Sequence, residues 1–234
     1  MTDRAALAAE NDRAALAAEN DRAALAAEND GAALAARGAE TMLAANTGAA
    51  LAAEPVRRRE VTWDDPLVSA ALALDMSGLD YLRAIAEGRI PVPPLAALLG
   101  MGIVEVQPGR VTFSLDVGEH LYNPIGSVHG GVFCTLLDSA MGCAVHSTLD
   151  RGQAYTTLEL KVNLVKALTV STPSVVATGQ VISAGRRVVT ASGQITGPDG
   201  TLYAHATTTC LVFEPRPGGG KQAPARSGGN GDGR

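Results

Sequence analysis

The stretch from Gly131 to His146 limits what this chain can fold into more than any other. Its apolar residues Val132, Phe133, Leu136, Leu137, Ala140, Met141, Ala144 and Val145 occupy most of a helix circumference. A helix apolar nearly all round has to be buried nearly all round. The segments on either side can bury it, because their period is two. Val111 to Val117 alternates apolar and polar, as a half-buried strand does, and Ile103 to Val106, across Pro108-Gly109, reads as its hairpin partner. Tyr155 to Val165 alternates again, with Leu158, Leu160, Val162 and Leu164 expected to face one way and Thr157, Glu159, Lys161 and Asn163 the other. Three more strands are expected near 174–183, 187–196 and 202–213, separated by Gly185 and by Pro198-Asp199-Gly200. Two strands, one engulfed helix and four strands read as a meander make an α+β fold in which a curved antiparallel sheet wraps one long central helix.

The remainder of the chain adds little apolar area. Of the first 54 residues 23 are Ala, so the segment able to build a core begins later. Leu7, Leu16, Leu25, Leu34, Leu43 and Leu51 recur at steps of nine, nine, nine, nine and eight. A nine-residue step turns a helix by about 900°, which sends successive leucines to opposite faces and leaves no continuous stripe. Residues 1–60 therefore read as an Ala-rich nonapeptide repeat, flexible or part helical, residues 61–215 as one domain, and residues 216–234, rich in Gly, Pro, Arg and Ser, as a disordered tail. Leu67 to Ala86 has helical spacing broken near Ser77-Gly78, and Leu95 to Leu99 can add one more turn.

Composition removes several classes of function. The net charge of −5 gives no general attraction to nucleic acid. No run approaches the roughly 18 uncharged apolar residues of a membrane span. Cys134, Cys143 and Cys210 are too few and too unevenly spaced for a disulfide framework, and no basic segment followed by an apolar run opens the chain, so a cytoplasmic protein is expected. His120, His146 and His205 show no metal-ligand spacing, and no metal is expected. Cys134 and Cys143 read as small core fillers.

Chemistry concentrates at the start of the long helix. Tyr122-Asn123-Pro124-Ile125-Gly126-Ser127-Val128-His129-Gly130-Gly131 leads directly into it. A helix N-terminus offers unpaired N–H groups and a positive dipole end, and glycines there let a ligand approach the backbone. Such a place suits an anion or a developing oxyanion, although a tight turn with a capping histidine has the same sequence. Asp138 is the only charged residue between Val132 and Val145. It is either tied to hydroxyls such as Thr135 and Ser139 at a seam of the helix, or a carboxylate that activates water or attacks an acyl carbon. Gly130 and Asp138 stand eight residues apart, roughly 12 Å along one helix. If both act on one carbonyl, the carboxylate has to come from a second copy of the chain.

Asn123, Pro124, Gly126, His129-Gly130-Gly131 and Asp138, followed by a Thr-rich strand start, resemble the hotdog-fold acyl-CoA thioesterases of the PaaI type, over about Leu72 to Phe213. The resemblance implies hydrolysis of an acyl-CoA thioester, aromatic or medium-chain, in a homodimer or homotetramer with shared sites. It implies no cofactor beyond the coenzyme A of the substrate. Gly130 would donate its N–H to the thioester oxygen, with Asn123 and His129 shaping that site and Gly131 beside it. Asp138 of the partner would be base or nucleophile, and Thr157 falls where relatives hold the water with a hydroxyl, unless it serves only as a strand former. Arg186 or Arg187 are the candidates to meet the coenzyme A phosphates, unless they are merely solvated turn residues. A non-catalytic acyl-CoA-binding dimer, or an acyl-thioester hydratase or dehydratase, are the alternatives.

Overall fold

The structure, a computed structural model, describes residues 56–215. The repeat expected over 1–60 lies, as far as residue 55, outside the described residues, as does the expected tail over 216–234. All helices and strands belong to one compact unit, Glu60–Leu121 together with Val128 onward; the segment Tyr122–Ser127 groups apart from it.

Among the described residues three short helices come first. Helix α1, Pro66–Asp75, begins at Asp65, whose Oδ1 accepts from the Leu67 N–H at 2.9 Å, with proline at the first helical position. Helix α2, Gly78–Ala86, begins at Ser77, whose hydroxyl oxygen accepts from the Asp80 N–H while donating to Asp80 Oδ2. That reciprocal cap is the physical reason the helical pattern breaks at Ser77-Gly78. Helix α3, Pro94–Leu99, stops at Gly100, which takes the left-handed conformation at φ 77°.

Six antiparallel strands follow, β1 Met101–Gln107, β2 Arg110–Asp116, β3 Ala154–Leu164, β4 Ser174–Ala184, β5 Val188–Thr196 and β6 Leu202–Phe213. The long helix, α4, runs from Gly130 to His146 between β2 and β3 and packs against β2, β3, β4 and β5. The expected α+β architecture is present, with one correction. The sheet order is β1-β2-β4-β5-β6-β3, so only β4, β5 and β6 form a meander. Because α4 lies across the inner face, it carries the chain from β2 to the opposite edge. There β3 pairs with β6 rather than with β4.

Glycine sets how closely α4 approaches the sheet. A Cβ at Gly179 on β4 would overlap the Ala140 carbonyl, a backbone group that no rotamer change can move. Gly179→Ala should therefore cost about 3 kcal/mol or more, the upper end for overpacking, because the helix must lift from β4. For a domain of this size that is roughly 6–12 °C in Tm, readable by calorimetry. An unchanged Tm would mean the helix has room to spare.

A second correction concerns β3. Cross-strand partners share a face, and Tyr155, Thr157, Leu160, Val162 and Leu164 lie opposite Val212, Cys210, Thr208, Ala206 and Ala204, all buried. Thr157 therefore faces inward with Leu160, Val162 and Leu164, not away from them. The register shifts between Thr157 and Glu159, and Leu158 is the extra residue of a β-bulge, exposed at 58%. The bulge resets the alternation and turns Thr157 towards the helix.

Candidate active site

Asp138 and Thr157 meet. The Thr157 hydroxyl donates to Asp138 Oδ1 at 2.9 Å, and among the described residues Oδ2 takes no protein donor. The hydroxyl that ties the carboxylate comes from β3, not from Thr135, whose hydroxyl instead donates to the Gly131 carbonyl at 2.9 Å. Asp138 is half-buried.

At the N-terminal end of α4, which starts at Gly130 eight residues before Asp138, His129 is the cap. Its Nδ1 accepts from the Gly131 N–H at 2.9 Å, so Nδ1 carries no proton in this arrangement. A Cβ at Gly131 would press on that imidazole at 3.0 Å, which accounts for the second glycine as room for the cap. The Gly131 N–H is thus used within the chain, whereas the Gly130 N–H has no partner among the described residues. Gly130 also lies beside the end of β3, since a Cβ there would come 3.2 Å from Leu164 Cδ1. Strand β3 thus runs antiparallel to α4, with Tyr155 over Gly142, Thr157 on Asp138 and Leu164 by Gly130.

The segment Tyr122–Ser127 is organised from within by Asn123. Its Oδ1 accepts from the Ile125 N–H at 3.0 Å and the Ser127 N–H at 3.2 Å, while its Nδ2 donates to Ser127 Oγ at 3.1 Å. Gly126 completes the turn at φ 83°. Arg186 and Arg187 are both exposed on the β4–β5 hairpin. The Arg187 carbonyl accepts from the Val212 N–H, which places the hairpin at the Tyr155 end of β3, away from Gly130.

Beside Asp138 lies a cavity of about 290 Å³ whose walls come from α2, α3, β1, β2, β3 and α4. Asp138, Ser139, Cys143 and His146 line it from one side of α4, and Tyr155 from β3. Cys134 and Cys143 are half-buried rather than fully internal; Cys210 is the buried thiol. Although part of Cys143 reaches the cavity, burial of its thiol, and then the Asp138 charge, push its pKa up to about 12. The thiolate is therefore scarce at neutral pH and Cys143 is no nucleophile. Burial and then the neighbouring acidic groups hold the Tyr155 hydroxyl well above the ordinary tyrosine range. The sequence does not mark His146 or Tyr155 as lining, because the one shows no metal-ligand spacing and the other stands at the start of an alternating strand. The one available signal was the polar or small stripe Asp138, Gly142, His146 at four-residue steps in an otherwise apolar helix.

Burial alone lowers the pKa of His146 from 6.5. The unfolded chain then binds this proton at a higher pH than the folded one. Stability is therefore lost as pH falls through about 6.5 towards the depressed folded value, and regained above it. Melting curves at pH 7.5 and 5.5 should show a drop at the lower pH that His146→Gln reduces. An equal drop in both proteins would contradict the assignment.

Comparison with known proteins bears on the family and the fold. Residues 125–204 match the family model described as the thioesterase superfamily. A candidate esterase of Halobacterium salinarum is 28% identical over 141 residues, 58% of this chain and 93% of that protein. A solved structure of a candidate thioesterase of Ralstonia eutropha, a phenylacetic acid degradation-related protein, is 28% identical with a TM-score of 0.51, covering 56% of this chain and 98% of the other. The Escherichia coli PaaI protein of the phenylacetic acid degradation operon has a TM-score of 0.51 at 20% identity, covering 59% of this chain and 96% of the other, and at that identity it speaks for the fold alone. The six-stranded sheet and the helix α4 that it holds are the hotdog fold, and within it residues 125–204 are similar to the thioesterase superfamily.

Proposed function

We propose that two copies of this chain together hydrolyse an acyl-CoA thioester to the free acid and coenzyme A. The observation that carries this reading is the division of the site along α4. The open Gly130 N–H stands at the first residue of the helix, and the Thr157-held Asp138 stands eight residues further on. At about 1.5 Å per residue they cannot both reach one carbonyl within a single chain. An antiparallel second copy joined along β3 would bring Asp138 and Thr157 of each chain opposite Leu164 and Gly130 of the other. Strand β3 is suited to that role, since it is an eleven-residue edge strand with Leu158 and Leu164 more than half exposed. Such an edge pairs unless something guards it.

In the shared site the Gly130 N–H, at the positive end of α4, stabilises the oxygen of the tetrahedral intermediate. Asp138 either takes a proton from water as water attacks the acyl carbon, or attacks that carbon itself. Collapse of the intermediate breaks the C–S bond. The coenzyme A sulfur leaves with the proton that Asp138 took from water or, where Asp138 itself attacked, with one from solvent. In that second case water then hydrolyses the acyl-Asp138 anhydride to the free acid. Thr157 orients the carboxylate through Oδ1 and leaves Oδ2 for the reaction. His129 holds the helix start, and Asn123 the turn before it. Arg186 or Arg187, unengaged on an exposed hairpin, are offered to the coenzyme A phosphates.

The test is release of free thiol from phenylacetyl, hydroxyphenylacetyl, benzoyl, short-chain and medium-chain CoA esters, with the dimer mass measured alongside. Turnover of at least one ester by a dimer is expected. Binding of these esters without thiol release would overturn the enzyme and leave a binding module.

A further inference from the structure

The cavity beside Asp138 has a floor made of three rings. The His146 imidazole lies 5.5 Å from the Tyr81 ring and 5.6 Å from the Tyr155 ring, centroid to centroid. Each ring is fixed independently. The Tyr81 hydroxyl shares a buried 2.9 Å hydrogen bond with Ser69 of α1. Tyr155 lies over Gly142, where a Cβ would come 2.6 Å from its hydroxyl. The backbone of His146 packs closely on Gly78, where a Cβ would overlap its carbonyl. Asp138 lines the same cavity from the same helix, eight residues or roughly 12 Å of helix rise before His146. The lining thus includes the carboxylate and, roughly 12 Å of helix rise further along α4, a cluster of three packed rings.

We propose that Tyr81, His146 and Tyr155 are the specificity-determining residues of this site, closing the acyl pocket and setting the longest acyl group it accepts. This rests on the thioesterase reading of Asp138. The acyl group extends from the thioester carbon at Asp138 along Ser139 and Cys143 towards His146, with Ala96 of α3 also in the lining. Four of the six walling elements, α2, α3, β1 and β2, lie outside the residues matched by the family model, as does Tyr81, whereas His146 and Tyr155 lie inside them.

The test measures kcat/KM by thiol release over a straight-chain series of acyl-CoAs, for wild type, His146→Ala and Ala96→Leu. Removing the imidazole extends the pocket, and the ratio of kcat/KM for the first rejected ester to that for the best one should rise at least tenfold. Filling the wall at Ala96, a buried small residue, should move the cut-off to a shorter ester. The second variant keeps the test decisive should His146→Ala fail to fold. Hydrolysis with the same length profile in both folded variants would overturn the proposal while leaving the thioesterase intact. No thiol release by the wild type would overturn both.

Discussion

Asp138→Asn should abolish most thiol release from a protein that still folds. The substitution is isosteric, and the new Oδ1 still accepts from the Thr157 hydroxyl, so the 2.9 Å contact between α4 and β3 survives. What it removes is the basic oxygen and the charge. A positioned general base is worth about 10²–10⁴ in rate, and the nucleophilic alternative is lost more completely still. A wild-type melting temperature with kcat down by at least about a hundredfold is the expected result. Turnover within a few-fold of wild type would remove Asp138 from the chemistry.

The second large effect is at Gly130, and it can be produced without breaking the helix. Gly130 is the first residue of α4, the position where proline is best tolerated because its N–H has no partner in the helix. His129 before it already has φ −62° and ψ 136°, the extended backbone that a following proline demands. Gly130→Pro therefore deletes one donor and little else, the nearest obstacle being the flexible end of Leu164. Loss of a single oxyanion donor costs about 10²–10³ in kcat. Gly130→Ala meets the same leucine but keeps the N–H, and should stay far closer to wild type. If both variants lose activity equally, crowding by Leu164 rather than the missing donor is the cause.

Much of this was legible in the sequence, for reasons that differ from residue to residue. Helix α4 announced itself because eight large or small apolar side chains fill its circumference, and only a sheet curled around it can bury such a helix. Asp138 stood out as a lone charge in that setting. His129-Gly130-Gly131 gave two readings: the capping one is present, His129 accepting from the Gly131 N–H, and the oxyanion one keeps the Gly130 N–H it needs without a partner among the described residues. The position of β3 was not legible, because alternation reports which face is buried and not which strand is the neighbour. Nor was the bulge. Leu158 is as apolar as Leu160, so the pattern reads straight across it and puts Thr157 on the wrong face. The cavity could not be read at all, since Tyr81, Ala96, His146 and Tyr155 are brought together only by the packing of α2 and α3 on the sheet and on α4.

The central claim is that one catalytic site takes its oxyanion donor from one chain and its carboxylate from another. Differently tagged Asp138→Asn and Gly130→Pro chains, each nearly inactive alone, can be co-expressed and the mixed dimer isolated through both tags. In a two-fold dimer one site then carries both defects and the other neither, so thiol release per dimer should return to about half the wild-type rate. A mixed dimer no more active than its inactive parents would contradict the shared site and return both groups to a single chain.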